Sequence, residues 1–162
     1  MQLHGGFTFD DAAAWLPYLH ALGITHLFCS PILQAAPEST HGYDVVDHSR
    51  ISEECGGEDG FRRLSQAAHE LGMGVVVDVV PNHMAVPTPL WHNRALWDVL
   101  RRGAESEYAD WFDLDMTDSQ AILMPVLGHR IGRELENINL TTAVINGEEQ
   151  PVVTYYDHVF PV

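Results

Sequence analysis

Two short stretches hold the side chains of this sequence that could do chemistry. The first, from Ser39 to Asp47, brings hydroxyl, imidazole, phenol and carboxylate groups together, and the second, from Asp78 to His83, holds a carboxylate, an amide and an imidazole. Both stretches come after apolar segments that predict strands. Ligands of α/β proteins lie at the carboxyl ends of strands. We therefore predict a ligand site built from hydrogen-bonding side chains on these two loops.

A run of valines, from Val75 to Val80, positions the second stretch. Such a run predicts a strand that is buried on both faces, as in a parallel sheet covered by helices. Asp78 interrupts the run, and its carboxylate should have a cation or hydrogen-bond donors as partners because burying an unpartnered charge is costly. Pro81 ends the strand, so that Asn82 and His83 follow at its carboxyl end.

Each of these polar side chains also has a purely structural interpretation. Asp44 and Asp47 could contact a substrate or could cap their own turns, since aspartate readily accepts hydrogen bonds from nearby backbone N–H groups. An isolated loop histidine such as His83 usually makes only surface hydrogen bonds. We interpret Asp78 as structural rather than catalytic. The histidines show no metal-ligand spacing, so we expect neither a bound metal nor a cofactor.

Apolar periodicity in the first half of the sequence predicts alternating strands and helices, which indicates an α/β fold. The predicted elements are a strand remnant at Met1–Leu3, a helix from Asp10 to Leu22, a strand from Ile24 to Ser30, a long loop from Pro31 to Gly57, a helix from Glu58 to Leu71 and the valine strand. The first helix should place Trp15, Leu16, Leu19 and Leu22 on one inward face, and Pro17 should kink or restart it. A loop as long as the one predicted here is usually functional.

The pattern changes after Met84, where the strands become shorter. Asn93 should cap a helix through Arg102 that places Trp97 inward as a core residue rather than a sugar platform. Further strands are predicted at Trp111–Met116 and Ala121–Leu127, and Asn146-Gly147 predicts the turn of a hairpin. We expect residues 1–86 and 87–162 to form separate parts of the structure.

Composition excludes several classes of function. The chain has 162 residues, 46% of them hydrophobic, and a net charge of −15 with 8 basic residues. No basic cluster is available to bind phosphates, so we expect no nucleic-acid partner. No apolar run is long enough to span a bilayer, so we expect no membrane partner. Cys29 and Cys55 have no metal-binding or disulfide pattern, which favours reduced thiols in a cytoplasmic protein.

The two polar stretches resemble motifs of a known enzyme family. Asp78-Val-Val-Pro-Asn-His83 is similar to the first sequence motif of the α-amylase superfamily of glycoside hydrolases and transglycosylases, and His41-Gly-Tyr43 is similar to a loop motif of that superfamily. The resemblance implies a (β/α)8 TIM barrel. Such a barrel needs about 250 residues. The chain would therefore supply about the first three strand-helix units in residues 1–86 and part of an inserted α+β subdomain in residues 87–162.

Further segments narrow the resemblance to the maltooligosyl trehalose synthase family. They are Leu3–Phe9, Ser39–Asp47, Pro81–Ala85, Trp97–Leu100, Phe112–Asp115, Pro125–Gly128 and Tyr155–His158. The resemblance implies an intramolecular transglycosylase, an isomerase that converts the terminal α-1,4 linkage of a maltooligosaccharide to α,α-1,1. An α-glucan hydrolase, a glucosyltransferase of the same superfamily, and a non-catalytic glucan-binding module remain as alternatives.

The resemblance also implies roles for individual residues. Those that would bind the maltooligosaccharide are Tyr43, as an apolar platform for the sugar ring, His83, Asp44 and His41. Those that would orient the site are Asp78, Asn82 and Asp47. The nucleophile and the acid/base are expected beyond Val162, so no catalytic residue is assigned. The chain is then expected to be a fragment that is inactive without the remainder of its barrel and poorly soluble because of exposed sheet edges.

Overall fold

Two parallel strands form the centre of the amino-terminal half of the structure. The computed structural model describes residues 1–115 and 122–162. It divides the chain into the units Met1–Ala85 and Val86–Val162. The helices and strands of the first unit are α1 (Phe9–Ala21), β1 (His26–Cys29), β2 (Leu33–Ala35), β3 (Val45–Ile51), α2 (Gly57–Glu70) and β4 (Gly74–Val77). β1 and β4 pair in parallel, with Leu27 opposite Val75, so the predicted mixed α/β character is confirmed.

The predicted strand remnant at the amino terminus lies along β1. The backbone N–H of Ser30 donates to the Met1 carbonyl at 2.9 Å, and the amino group of Met1 donates to the Phe28 carbonyl. Leu3 is almost fully buried in the same core as Phe9 of α1 and Leu64 of α2. The first residues therefore extend the β1–β4 pair on its other edge, although they are too few to form a regular strand.

The first helix begins at a capping box rather than at the predicted aspartates. The Thr8 hydroxyl accepts a hydrogen bond from the Asp11 backbone N–H, and the Asp11 carboxylate accepts one in return from the Thr8 backbone N–H. The helix continues through Pro17. Trp15 and Leu22 are 51% and 60% exposed, so the predicted inward face was wrong for these two residues. The prediction was right for Leu16, which is buried, and for Leu19, which packs against the core, and Phe9 and Ala12 are buried as well.

The valine strand is shorter than predicted and is covered on one face. β4 ends at Val77, so Asp78 follows the strand instead of interrupting it. Val75 and Val77 pack against the core beneath α1 and α2, whereas Val76 and Val79 are 44% and 63% exposed. The prediction of burial on both faces was wrong because successive strand side chains point to opposite faces, and within this unit the helices cover one of them.

The predicted loop between Pro31 and Gly57 contains two strands. β2 and β3 pair antiparallel, and Leu33 lies opposite Ile51 while the next residue, Gln34, lies opposite Asp47. Three residues of β3, from His48 to Arg50, therefore form a bulge with no partner residue on β2. Bulges of this kind redirect side chains and are frequent near functional sites.

The second unit combines helices with an antiparallel meander. Its elements are α3 (Arg94–Arg102), α4 (Ile131–Glu134), β5 (Ile138–Ile145), β6 (Glu148–Tyr155) and β7 (His158–Pro161). Asn93 caps α3 through its side chain, as predicted. Trp97 is 5% exposed in a cluster with Leu96, Ile145 and Val152, which confirms its assignment to the core. The Asn146-Gly147 hairpin is also confirmed, since these two residues join the paired strands β5 and β6.

Two predicted strands of the second unit are wrong where the structure describes them. Residues 109–111 form a 3₁₀ turn and residues 112–115 are irregular, while Met116 lies outside the described residues. In the other segment residues 122–127 are irregular and Ala121 lies outside the described residues. Alternation of apolar and acidic residues over so few positions is a weak signal because a strand also needs a neighbour for its backbone hydrogen bonds.

The remaining features concern the cysteines and the hydropathy of the helices. Cys29 and Cys55 are both buried and free. Burial raises the pKa of each thiol above its ordinary value. Among the described residues, every helix is too short or too polar to cross a bilayer.

Candidate functional site

A hydrogen bond between Tyr43 and Asp78 joins the two polar stretches that the sequence singled out. The Tyr43 hydroxyl donates to Asp78 Oδ2 at 2.7 Å. Asp78 is held from its backbone as well, since its N–H donates to the Cys29 carbonyl at 3.0 Å and extends the parallel pairing of β1 with β4 by one bond. Asp78 thus has the hydrogen-bond donor that a carboxylate at this position requires. The bond fixes the Tyr43 loop against the carboxyl end of β4.

The same bond changes the acidity of the phenol. The hydrogen bond to the Asp78 carboxylate is the main cause that raises the pKa of Tyr43 above its ordinary value of 10.0, with smaller contributions from desolvation and from the charge of Asp78. Ionising the phenol would remove the shared proton and would place two negative charges side by side. Tyr43 is therefore a neutral donor at physiological pH. The residue is 45% exposed, so that a ligand can reach it.

The loop before Tyr43 is stabilised from within. The Ser39 hydroxyl donates to Asp44 Oδ1 and accepts from the Gly42 N–H at 3.1 Å. The Ala36 N–H donates to the Asp44 carbonyl at 2.9 Å. Asp44 is thus engaged in bracing the loop, which is the structural alternative that the sequence left open. Ser39 was missed as a site-forming residue, although loop serines commonly bond to backbone N–H groups a few positions further on, as Ser39 does with Gly42.

Gly42 occupies a position where no other residue fits. Its φ of +78° lies in the left-handed region, and an added Cβ would lie 2.5 Å from the Pro31 carbonyl oxygen. Glycine adopts this conformation without steric cost. The backbone of the Tyr43 loop therefore lies close against Pro31, in the segment that follows β1.

His41 packs beside Tyr43, and its Nδ1 faces the backbone of their shared loop. Its Nδ1 accepts a hydrogen bond from the Tyr43 N–H at 3.1 Å and lies 3.6 Å from Asp44 Oδ1. The shorter contact places an acceptor lone pair on Nδ1, so that the neutral ring carries its hydrogen on Nε2. The ring centroids of His41 and Tyr43 are 6.0 Å apart. His41 can therefore present a donor next to an aromatic face.

Asn82 and His83 form a second pair on the segment after β4. His83 Nδ1 lies 3.0 Å from Asn82 Oδ1. Because the amide oxygen only accepts, His83 Nδ1 is the donor and Nε2 of the neutral ring is an acceptor. Both side chains are exposed. Asn82 thus selects the tautomer and the orientation of the His83 ring, as a site-orienting residue would.

Asp47 bonds to its own neighbours in β3, Ser49 and Arg50. Its carboxylate accepts from the Ser49 N–H at 2.8 Å, from the Ser49 hydroxyl at 2.6 Å and from Arg50 Nε at 3.1 Å. Burial alone would raise the pKa of Asp47, but the Ser49 hydrogen bonds and the charge of Arg50 outweigh it and leave the pKa below its ordinary value. Asp47 braces the bulge of β3.

A neighbour of Asp47, His48, also contacts the segment that carries His83. His48 Nε2 lies 2.8 Å from the Val80 carbonyl oxygen. The sequence did not single out His48, and only its position beside Asp47 could have drawn attention to it.

The polar side chains of the two stretches can recognise hydroxyl groups but contain no assigned nucleophile. Tyr43 offers an aromatic face, His41 a donor and His83 an acceptor, while the carboxylates of Asp44 and Asp78 each accept from a protein hydroxyl. Within residues 1–115 and 122–162, no group of three or more His, Cys, Asp or Glu side chains could hold a metal ion. The arrangement suits neutral, polyhydroxylated ligands such as sugars.

The sequence matches one protein family over most of its length. The family described as alpha amylase, catalytic domain matches residues 11–147. A putative maltooligosyl trehalose synthase from Mycobacterium tuberculosis (strain ATCC 25618 / H37Rv) is 51% identical over 125 residues, which are 76% of this chain and 16% of that protein. The chain therefore spans about one sixth of the length of this curated relative.

Solved structures agree with the sequence match. Maltooligosyltrehalose synthase from Arthrobacter ramosus superposes with a TM-score of 0.86 and 47% identity, over 100% of this chain and 20% of that one. The type III pullulan hydrolase from Thermococcus kodakarensis is also similar, with a TM-score of 0.57 and 38% identity over 65% of this chain and 17% of that one.

Proposed function

This chain belongs to the alpha-amylase catalytic-domain family, and we propose that it is the amino-terminal portion of an intramolecular transglycosylase. The reaction converts the terminal α-1,4 linkage of a maltooligosaccharide to an α,α-1,1 linkage and yields a maltooligosyl trehalose. One observation carries the proposal. The synthase from Arthrobacter ramosus matches the whole chain, whereas the pullulan hydrolase matches 65% of it. A hydrolase or another glucosyltransferase of this family is supported less well by that difference.

We further propose that Met1–Ala85 is the first part of a (β/α)8 barrel. The parallel pairing of β1 with β4, the edge position of Met1–Leu3 and the helices on one face support this arrangement. Phe28 and Val76 are exposed on the other face, which would be the interior of the barrel. Val86–Val162 would be part of an inserted α+β subdomain, consistent with its helix α3 and its meander of β5, β6 and β7.

The site residues receive roles that follow from their contacts. Tyr43 would present its ring to the C–H face of the reacting sugar. His41 and His83 would bond to sugar hydroxyls through Nε2, as donor and acceptor respectively. Asp78 would orient Tyr43, and Asn82 would orient His83.

Two aspartates of the first loop are placed further from the sugar. Asp44 accepts a hydrogen bond from Ser39 at Oδ1, so it would contact the ligand through Oδ2. Asp47 would act by bracing β3.

The chemistry proposed is that of a retaining enzyme. One carboxylate attacks the anomeric carbon while a second protonates the leaving oxygen. In the second step the second carboxylate acts as the base that takes the proton of the attacking hydroxyl, and the first carboxylate is the leaving group. The released glucose turns within the site, and its anomeric hydroxyl attacks the glycosyl-enzyme in place of water. Neither carboxylate is assigned among the residues here. The substrate-binding loops of this chain would hold the sugar so that water is kept out. Two buried free thiols favour the cytoplasm as its location.

Product analysis with maltopentaose tests the proposal. The 162-residue chain and a version extended to the length of the relatives are incubated separately with the sugar. We expect a non-reducing, trehalose-ended product of unchanged chain length from the extended version only. Release of glucose or maltose instead would identify a hydrolase. Formation of the trehalose-ended product by the 162-residue chain would disprove the assignment of the catalytic carboxylates to other parts of the enzyme.

Calorimetric titration distinguishes the proposed enzyme from the remaining alternative, a non-catalytic glucan-binding module. A non-catalytic glucan-binding module should bind maltooligosaccharides in the 162-residue form. Part of a barrel has only some of its sugar contacts, so we expect no heat of binding from it. Measurable affinity without catalysis in the extended form would favour the binding module.

A further inference from the structure

His48 lies where β3 meets the segment that presents His83. This segment, from Asp78 to the residues after His83, has no regular secondary structure. The Asp78 N–H makes a bond to β1, and beyond it the Ala85 N–H donates to the Val45 carbonyl at 2.7 Å. Between these two points, His48 Nε2 contacts the Val80 carbonyl oxygen at 2.8 Å. The segment is therefore attached to β1 at Asp78 and to β3 at Val80 and Ala85.

The chemistry of the His48 contact is defined by its acceptor. A carbonyl oxygen only accepts, so Nε2 of His48 carries the hydrogen. Val80 is buried, and a buried carbonyl without a partner is costly. Pro81 has no N–H to donate, and the Val80 carbonyl belongs to the peptide bond that precedes it. Its direction sets the plane of the peptide that leads into Pro81, Asn82 and His83.

His48 lies in the bulge of β3. His48, Ser49 and Arg50 have no partner residues on β2, which frees them from the alternation of a regular strand. Asp47 holds the bulge through Ser49 and Arg50. The hydrogen bonds of Asp47 thus stabilise the stretch of β3 that carries the His48 imidazole.

We propose that His48 is a positioning residue, which orients the His83 imidazole toward the sugar through its hydrogen bond to the Val80 carbonyl. The consequence for catalysis rests on the proposed function, but the structural effect does not. His48 itself touches no substrate in this proposal. Loss of its donor would release the Val80 peptide, and the orientation of Asn82 and His83 would relax with it.

Nuclear magnetic resonance of the 162-residue chain with ¹⁵N-labelled histidine tests the structural part. The wild-type spectrum should show the Nε2–H tautomer for His48 and the Nδ1–H tautomer for His83. His48→Phe keeps a ring but has no donor, and we expect the His83 signals to shift to a mixture of tautomers. His48→Gln, whose amide N–H can reach a carbonyl, should restore a large part of the wild-type pattern.

Two results would overturn the proposal without reference to activity. One is an Nδ1–H tautomer of His48 in the wild-type chain, a measurement that needs no variant to fold. The other is an unchanged His83 pattern in a folded His48→Phe chain, with folding judged by the methyl spectrum. If these tests succeed and the extended enzyme makes no trehalose-ended product, the proposed function fails and the role of His48 stands.

A double-mutant cycle in the extended enzyme tests the catalytic consequence. His48→Phe should lower kcat by about ten-fold to a hundred-fold, as expected for a misplaced binding group. The same change should have little further effect in a His83→Ala background, because both act on one interaction. A residue that only supports the fold would lower activity by the same factor in both backgrounds, and that result would contradict the proposal.

Discussion

The hydroxyl of Tyr43 donates a 2.7 Å hydrogen bond to the carboxylate of Asp78, although the two residues are 35 positions apart in the sequence. The bond joins an aromatic ring on a glycine-containing loop to the carboxyl end of a parallel strand. It gives the Asp78 carboxylate a donor and keeps Tyr43 a neutral donor at physiological pH. The contact is the centre of the candidate site, and its removal has consequences that can be measured.

Asp78→Asn should lower the pKa of Tyr43 toward its ordinary value of 10.0, because the charge and the acceptor that raise it are weakened. The raised pKa means that the bond stabilises the fold below pH 10.0 and that this contribution is lost as pH rises through the folded-state value. Ultraviolet titration of the phenols measures the change. Asp10→Asn is the matched control, since Asp10 of α1 pairs with Arg63 of α2, and it should leave Tyr43 unchanged.

Truncation of the predicted sugar contacts should affect turnover more than folding. In the extended enzyme, Tyr43→Ala and His83→Ala should each lower kcat/KM by about ten-fold or more, the expected loss for one ligand hydrogen bond or packing contact. Tyr18→Ala is the control, because Tyr18 is an exposed aromatic residue on α1. Steady-state kinetics with maltopentaose and circular dichroism would be compared. Unchanged kinetics in both site variants would remove these residues from the site.

Gly42→Ala should destabilise the first unit by about 1–3 kcal/mol, the cost of a residue forced into an unfavourable conformation. The added Cβ would meet the Pro31 carbonyl oxygen at 2.5 Å, at a φ of +78°. Gly5→Ala is the matched control, since its Cβ would make ordinary contacts, the nearest at 3.6 Å to Glu54. Urea unfolding measures both. Equal midpoints for the two variants would show that the loop adapts and that its geometry is not constrained by Gly42.

Thr8→Ala should destabilise the first unit by about 1 kcal/mol, because it removes a helix cap. Thr8→Ser keeps the hydroxyl and should lose far less. Hydrogen bonds from the Thr8 backbone and side chain lower the pKa of Asp11 below its ordinary value of 3.8. The stability that they provide is therefore present above that pH and is lost as pH falls through the folded-state value. Thermal unfolding at neutral and acidic pH checks both statements, and an Ala variant as stable as the Ser variant would contradict them.

Local elements of the fold could be predicted from the sequence alone. Apolar spacing identified α2, and the Asn93 cap identified α3. The Asn146-Gly147 turn identified the hairpin because both residues tolerate positive φ. These signals involve residues within about four positions of one another, so they are readable without knowledge of the tertiary structure. The motifs that contain Tyr43 and His83 were readable for the same reason.

The partners of those residues were decided by the tertiary structure. The Tyr43 bond to Asp78 and the His48 bond to Val80 span more than thirty positions each, and no local pattern encodes such a distance. The exposure of Trp15 and Val76 also depended on which faces the neighbouring elements cover. Sequence by itself therefore determined which chemical groups the site contains and on which segments they lie. The fold decided which of them touch, because a hydrogen bond requires atoms to meet in space and a sequence orders them only along the chain.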